Sequence, residues 1–139
     1  MTTGLDTFDA SLQKTNEILS EIENKFGWQN HRHQSYAALR AVLIALRDRL
    51  TVEDAVRFGA QLPMLIRGFY YEQWDPTKAP IKMNKEQFIL HVIDNFGFPI
   101  SASYDEFISF VLKTLLKHLG KGEEEKLRNL LPKELTDLV

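Results

Sequence analysis

A chain of 139 residues, 44% hydrophobic and 26% charged, has the balance of a globular protein; folding at this length buries about 68–70% of the unfolded surface. The net charge of −2 at pH 7 supplies no basic face of the kind nucleic acid demands, so no nucleic-acid partner is expected. With no cysteine, disulfides, thiolate metal sites and cysteine nucleophiles are excluded.

The opening residues 1–6 have neither a basic start nor an apolar run, so no signal peptide is expected. The most apolar segment, residues 37–46, is interrupted by Arg40 and too short to span a bilayer, which leaves a cytoplasmic protein as the expectation. The first helix runs from Asp6 or Thr7 to Phe26, because Phe8, Leu12, Thr15, Leu19, Ile22 and Phe26 recur at helical spacing. Gly27 fits the left-handed position that ends a helix, with Trp28 folding back onto Ile22. Residues 29–33, with His31 and His33, read as a polar loop.

A second helix, residues 34–50, carries Tyr36, Leu39, Leu43, Leu46 and Leu50 in one arc, flanked by Ala38, Ala41 and Ala45. So broad an apolar surface predicts a central helix with neighbours on several sides. Arg40 and Arg47, seven apart, mark its wet side. Thr51 and Asp54 form a capping pattern for a short third helix, residues 52–61, that buries Val52, Ala55, Val56 and Gly59. Leu62 is pushed out of the helical region by Pro63, and Pro63 suits the first position of a fourth helix extending toward Trp74. Residues 75–83, rich in proline, read as a linker. Asn84 with Gln87, and Met83 with Phe88, have the spacing of a capping box and hydrophobic staple. Ser103 with Glu106 caps the next helix, and Glu123, Glu124 and Glu125 open the last, where their charge complements the dipole.

Sliding the chain on itself by 69 or 70 residues aligns Ile18, Ile22, Phe26 and Gly27 with Phe88, Val92, Phe96 and Gly97. The same shift brings Leu39, Leu43, Leu46 and Leu50 onto Ile108, Leu112, Leu115 and Leu119, and Leu62-Pro63 onto Leu131-Pro132. The expected fold is therefore all-α, two tandem divergent copies of a three-to-four-helix unit packed as one bundle-like domain. The first copy covers 1–74, the linker 75–83 and the second copy 84–139. Six of seven arginines fall in the first 70 residues and eight of ten lysines after them. Arginine suits interface pairing, so the first half is the better place for a working surface.

From Leu39-Arg40-Ala41-Val42-Leu43 through Arg47-Asp48-Arg49-Leu50, Ala60-Gln61-Leu62-Pro63 and Arg67-Gly68-Phe69-Tyr70-Tyr71-Glu72-Gln73-Trp74, the chain resembles the bacterial family catalogued as domain of unknown function 2267. Leu130-Leu131-Pro132-Lys133-Glu134-Leu135 is similar to its C-terminal half. The resemblance implies a helical protein and carries no activity, cofactor or partner with it.

The residues themselves offer few sites. His31 and His33 give two nitrogens where a metal needs three or four ligands, and only His91, His118 and dispersed carboxylates remain, so no metal and no cofactor is expected. Asp48, Glu53 and Asp54 beside Arg47, Arg49 and Arg57 read as caps and surface ion pairs. No phosphate-binding glycine loop, nucleophile elbow or metalloprotease signature is present, so no catalytic residues are assigned. The remaining candidates are Gln61, Arg67, Phe69, Tyr70, Tyr71 and Trp74, whose composition is that of an interaction hot spot, a pocket wall, or packing of the seam between copies. The chain is thus read first as a non-enzymatic helical protein that binds another protein or itself. The alternative is a small-molecule or lipid sensor with an apolar pocket between the copies. An enzyme ranks third, to be recognised by a histidine within hydrogen-bond reach of a carboxylate in a cleft.

Overall fold

A computed structural model describes residues 2–139; Met1, the first residue of the stretch read as lacking a leader, lies outside them. Seven α-helices follow in order: α1 Asp6–Phe26, α2 Arg32–Arg49, α3 Val52–Gly59, α4 Met64–Tyr71, α5 Lys85–Phe96, α6 Tyr104–Lys117 and α7 Glu123–Leu130. Two 3₁₀ segments, Pro76–Lys78 and Lys133–Leu138, complete them, and no strand occurs among the described residues. Among the described residues, no helix is long and apolar enough to cross a membrane.

Local chemistry sets most boundaries. Gly27 (φ 72°) and Gly97 (φ 77°) end α1 and α5 in the left-handed region that a Cβ disfavours. The Trp28 N–H donates back to the Glu23 carbonyl at 2.9 Å, a Schellman closure. Thr51 and Ser103 side chains accept from the N–H groups of Asp54 and Glu106, and Asn84 with Gln87 forms the full reciprocal capping box.

The core is one cluster that draws on every α-helix, with α2 at its centre. Residues 41–47 of α2 are buried without interruption, because α1, α4, α5 and α6 all lean on it. The most extensive packing joins α2 to α5, whereas α5 touches α6 only lightly. A second junction is aromatic. Trp28 lies 5.0 Å from Phe26 and 5.7 Å from Phe96 between ring centroids, and Phe107 packs edge-on against Phe26 at 5.5 Å.

Several sequence expectations are corrected. The helix α2 begins at Arg32, so His33 sits in its first turn rather than in a loop. Arg32 supplies the reason: it reaches across to α1 and donates to Glu23 (2.6 Å), Asn16 (2.8 Å) and Ser20 (2.9 Å). In α3, Val52 and Val56 are exposed, and Phe58 with Ala55 and Gly59 forms the buried face. Phe8 is 46% exposed, since no helix covers the first turns of α1 on that side. Finally, Pro63 precedes α4 in an extended conformation, and α4 stops at Tyr71 because Glu72 is extended and Gln73 adopts φ 62°.

The largest correction concerns Arg47. It is buried, 6% exposed, and not on the wet side with Arg40. Its Nη1 donates to the carbonyls of Tyr70 (2.9 Å) and Glu72 (2.7 Å), and its Nε to Asp48 (3.1 Å). A cation is tolerated at that depth because its donors find acceptors. Asp48 in turn bonds His91 of α5 at 2.9 Å, and its carbonyl accepts from the Ile81 N–H. The end of α2 therefore holds the C-terminus of α4 and the connection 72–83 in place.

Candidate functional site

The two faces of α4 have different fates. At 100° per residue, Ile66, Phe69 and Tyr70 share one side and Met64 and Gly68 the other, with Leu65 toward the outer edge. Ile66 and Tyr70 are fully buried and Phe69 nearly so. The Tyr70 hydroxyl donates to the Ala55 carbonyl at 2.8 Å. Burial, with a smaller contribution from Tyr71, pushes the Tyr70 phenol well above its ordinary value, against the opposing charge of Arg47. Tyr71 packs on Tyr70 (4.9 Å) and Trp74 (5.6 Å), and its hydroxyl donates to the Val56 carbonyl at 3.4 Å. Burial raises its phenol too, with Arg67 opposing. Gly59 allows this fit, because a Cβ there would overlap the Tyr71 hydroxyl.

Of the six residues singled out in the sequence, Phe69 and Tyr70 thus stand in the core, while Tyr71 and Trp74 are half-buried beside them. Arg67 is exposed, yet its guanidinium donates to the carbonyls of Gly59 (3.0 Å) and Leu62 (2.8 Å), capping the turn between α3 and α4. The buried Trp74 Nε1 has no partner among the described residues. Gln61 is exposed on a cleft between α3 and α7, about 490 Å³, that also includes Arg57, Phe58, Lys126, Leu127 and Asn129. Phe69, Tyr70 and Trp74 do not line it.

The outer face of α4 is where apolar surface stays uncovered. Met64 is 44% and Leu65 46% exposed, and Phe8 across from them is exposed to the same degree. Together with Thr3, Ser11, Leu12 and Gly68, the residues Phe8, Met64 and Leu65 line a groove of about 320 Å³ between the start of α1 and α4. The Ser11 hydroxyl accepts from the Leu65 N–H at 2.8 Å and fixes the two helices side by side. Gly68 forms the floor, and a Cβ there would meet nothing within 4 Å. Sequence reasoning passed over Met64, Leu65 and Gly68 as site residues and set Phe8 on a buried face. The signal was present: once Ile66, Phe69 and Tyr70 face inward, Met64 is an apolar residue with nowhere to go.

The histidines are placed differently from expectation. His31 and His33 stand 6.0 Å apart, His33 packs on Phe98, and no group of three possible metal ligands forms among the described residues. Two histidines do meet carboxylates, His91 with Asp48 and His118 with Glu21. Such pairs can orient an imidazole as a base. Here each carboxylate also holds a cation, Arg47 for Asp48 and Lys117 for Glu21, and each pair bridges two helices. Burial favours the protonated form of Glu21, but hydrogen bonds from Lys117 and His118 outweigh it and hold the carboxyl below its ordinary value. Of the cluster expected on the surface, Arg57 does pair there with Glu53 (2.5 Å), whereas Asp48 and Arg47 are internal.

The family described as "Uncharacterized conserved protein (DUF2267)" matches residues 15–138, which takes in all of α2–α7 and the central core. The chain belongs to this family. No curated protein matches it. In this DUF2267 chain the stretch Gln61–Trp74 lies inside the matched region, whereas Phe8 and Leu12, on the opposite wall of the groove, lie before it.

Proposed function

We propose that this protein is a non-enzymatic helical module of the cytoplasm that works by associating with a protein surface through the α1–α4 groove. One observation carries the reading. Phe8, Met64 and Leu65 leave large apolar side chains in water along one groove, next to a glycine that leaves room for close approach. Uncovered apolar area of this kind costs about 25 cal/mol for each Å² a partner would remove from water. Two helices with apolar residues spaced along a groove have the form that receives an amphipathic helix. Of the residues chosen from sequence, Arg67 lines a neighbouring cleft that shares Ser11 and Met64 with the groove, and Phe69 and Tyr70 occupy the buried face of the same helix.

The same reading includes an internal duplication, with copies over 1–74 and 84–139. Supporting it, α1, α2 and α3 are followed in order by α5, α6 and α7, and Gly27 and Gly97 close the first helix of each set in the same conformation. Pro63 (φ −55°, ψ 149°) and Pro132 (φ −56°, ψ 149°) also agree. The copies part after that point, one opening the eight-residue α4 and the other a 3₁₀ segment.

A benzophenone side chain introduced in place of Leu65, irradiated in cells, is expected to give an adduct of discrete mass, and the same probe at exposed Lys113 on α6 none. Equal labelling from both positions, or no adduct from 65, contradicts the proposal. A small-molecule or lipid sensor is the second reading, favoured by the α3–α7 cleft of about 490 Å³. A thermal shift with a metabolite that Gln61→Ala abolishes would move the assignment there.

A further inference from the structure

The cleft between α3 and α7, on which the second reading of the function rests, shares no lining residue with the α1–α4 groove. We infer that this cleft binds a small zwitterion with an apolar body, the chemistry of a free apolar α-amino acid. Its volume of about 490 Å³ falls in the range of small-molecule sites.

On the α7 wall, Glu123, Lys126, Leu127 and Leu130 recur at i, i+3, i+4 and i+7 and so share one face. Glu123 is only 7% exposed. Its Oε1 accepts from Lys126 Nζ at 3.1 Å, and its Oε2 accepts from no group among the described residues. Lys126 itself stands mostly in solvent. A carboxylate at this depth is short of donors, because a buried charge needs its lone pairs met. An ammonium entering the cleft meets that need.

The α3 wall carries the opposite charge. Arg57 bonds Glu53 through Nη2, while its Nη1 lies 3.9 Å from Asp54, too far for a hydrogen bond. The guanidinium therefore keeps donors for the carboxylate of a ligand. Phe58 from α3 and Leu127 from α7, both buried, supply apolar lining. The 69-residue register that sets Leu62 against Leu131 also sets Arg57 against Lys126, Phe58 against Leu127 and Asp54 against Glu123. The walls thus agree in cation and apolar residue and differ in the acid, since Glu123 lines the cleft and Asp54 does not. A simple anion would meet Glu123, and a simple amine would meet Arg57 and Lys126. A zwitterion sets each of its charges against the opposite one.

The test is titration of the isotope-labelled full chain, followed through its backbone amide NMR signals. The probes are L-leucine and L-phenylalanine, each compared with an analogue lacking the amine and an analogue lacking the carboxylate. At least one amino acid is expected to bind with a Kd of about 1 mM or tighter and to move the amides of 57–61 and 123–130. Each of its analogues should bind about tenfold more weakly. Glu123→Gln should weaken the amino acid about tenfold and leave the analogue without an amine unchanged. Arg57→Gln should weaken it similarly and leave the analogue without a carboxylate unchanged. Arg57 is exposed, so its variant keeps the test valid should Glu123→Gln unfold. Neither amino acid binding at about 10 mM overturns the inference, as do shifts confined to other helices or full affinity in both variants. An analogue that binds the cleft as tightly as its amino acid overturns the zwitterion and leaves the cleft a small-molecule site. Docking on the α1–α4 groove is untouched by any of these results.

Discussion

Leu65 and Ile66 are neighbours in sequence and opposites in circumstance. Ile66 is sealed among the core helices, whereas Leu65 stands in solvent beside Phe8 and Gly68. The same contrast runs the length of α4. On the inner side, Arg47, Tyr70, Tyr71 and Gly59 are joined by hydrogen bonds and close contacts that leave no slack. On the outer side, apolar side chains and a glycine sit in a helix that would be more stable without the glycine. The inner face is explained by folding; the outer face is the one on which the proposed docking rests.

That contrast can be broken at several points. Arg47→Ala removes the donor for the Tyr70 and Glu72 carbonyls and leaves Asp48 with one fewer partner, so unfolding in denaturant should show a loss of about 3–5 kcal/mol. Gly59→Ala forces Tyr71 away from α3 and should cost about 1–3 kcal/mol by the same measurement. Tyr70→Phe deletes the bond to the Ala55 carbonyl, at about 1 kcal/mol. Its pH dependence is a second readout. The buried phenol ionises only well above the ordinary value of 10.0, so the folded state favours the neutral form. The stability this gives is fully present below the unfolded-state pKa and is lost as pH rises beyond it. Tyr70→Phe should therefore flatten the alkaline limb of the stability curve. On the outer face the sign reverses: Gly68→Ala, in open space, should raise stability by about 0.5–1 kcal/mol.

What the sequence disclosed follows the range of the forces involved. The caps at Thr51, Asn84 and Ser103 and the glycine stops at Gly27 and Gly97 depend on residues within a few positions, and each was readable. The central place of α2 followed from the breadth of its apolar arc. Arg47 was not readable, because the carbonyls that receive it come from a different element and converge only after α4 has docked. The exposure of Val52 and Val56 likewise depends on how α3 tilts against α2, which no local pattern encodes. At the candidate site, aromatic composition drew attention to Tyr70 and Trp74. The residues left uncovered were the plainer Met64 and Leu65, whose significance depends on α1 ending its cover short of them.

The most direct measurement places a benzophenone probe at position 8, across the groove from α4, and compares adduct formation with and without Leu65→Asp. An exposed substitution should change unfolding free energy by no more than about 0.5 kcal/mol. The expected result is a discrete adduct in the otherwise wild-type chain and its loss in Leu65→Asp, at unchanged stability. Equal adduct in both chains would contradict the assignment of this groove as the working surface.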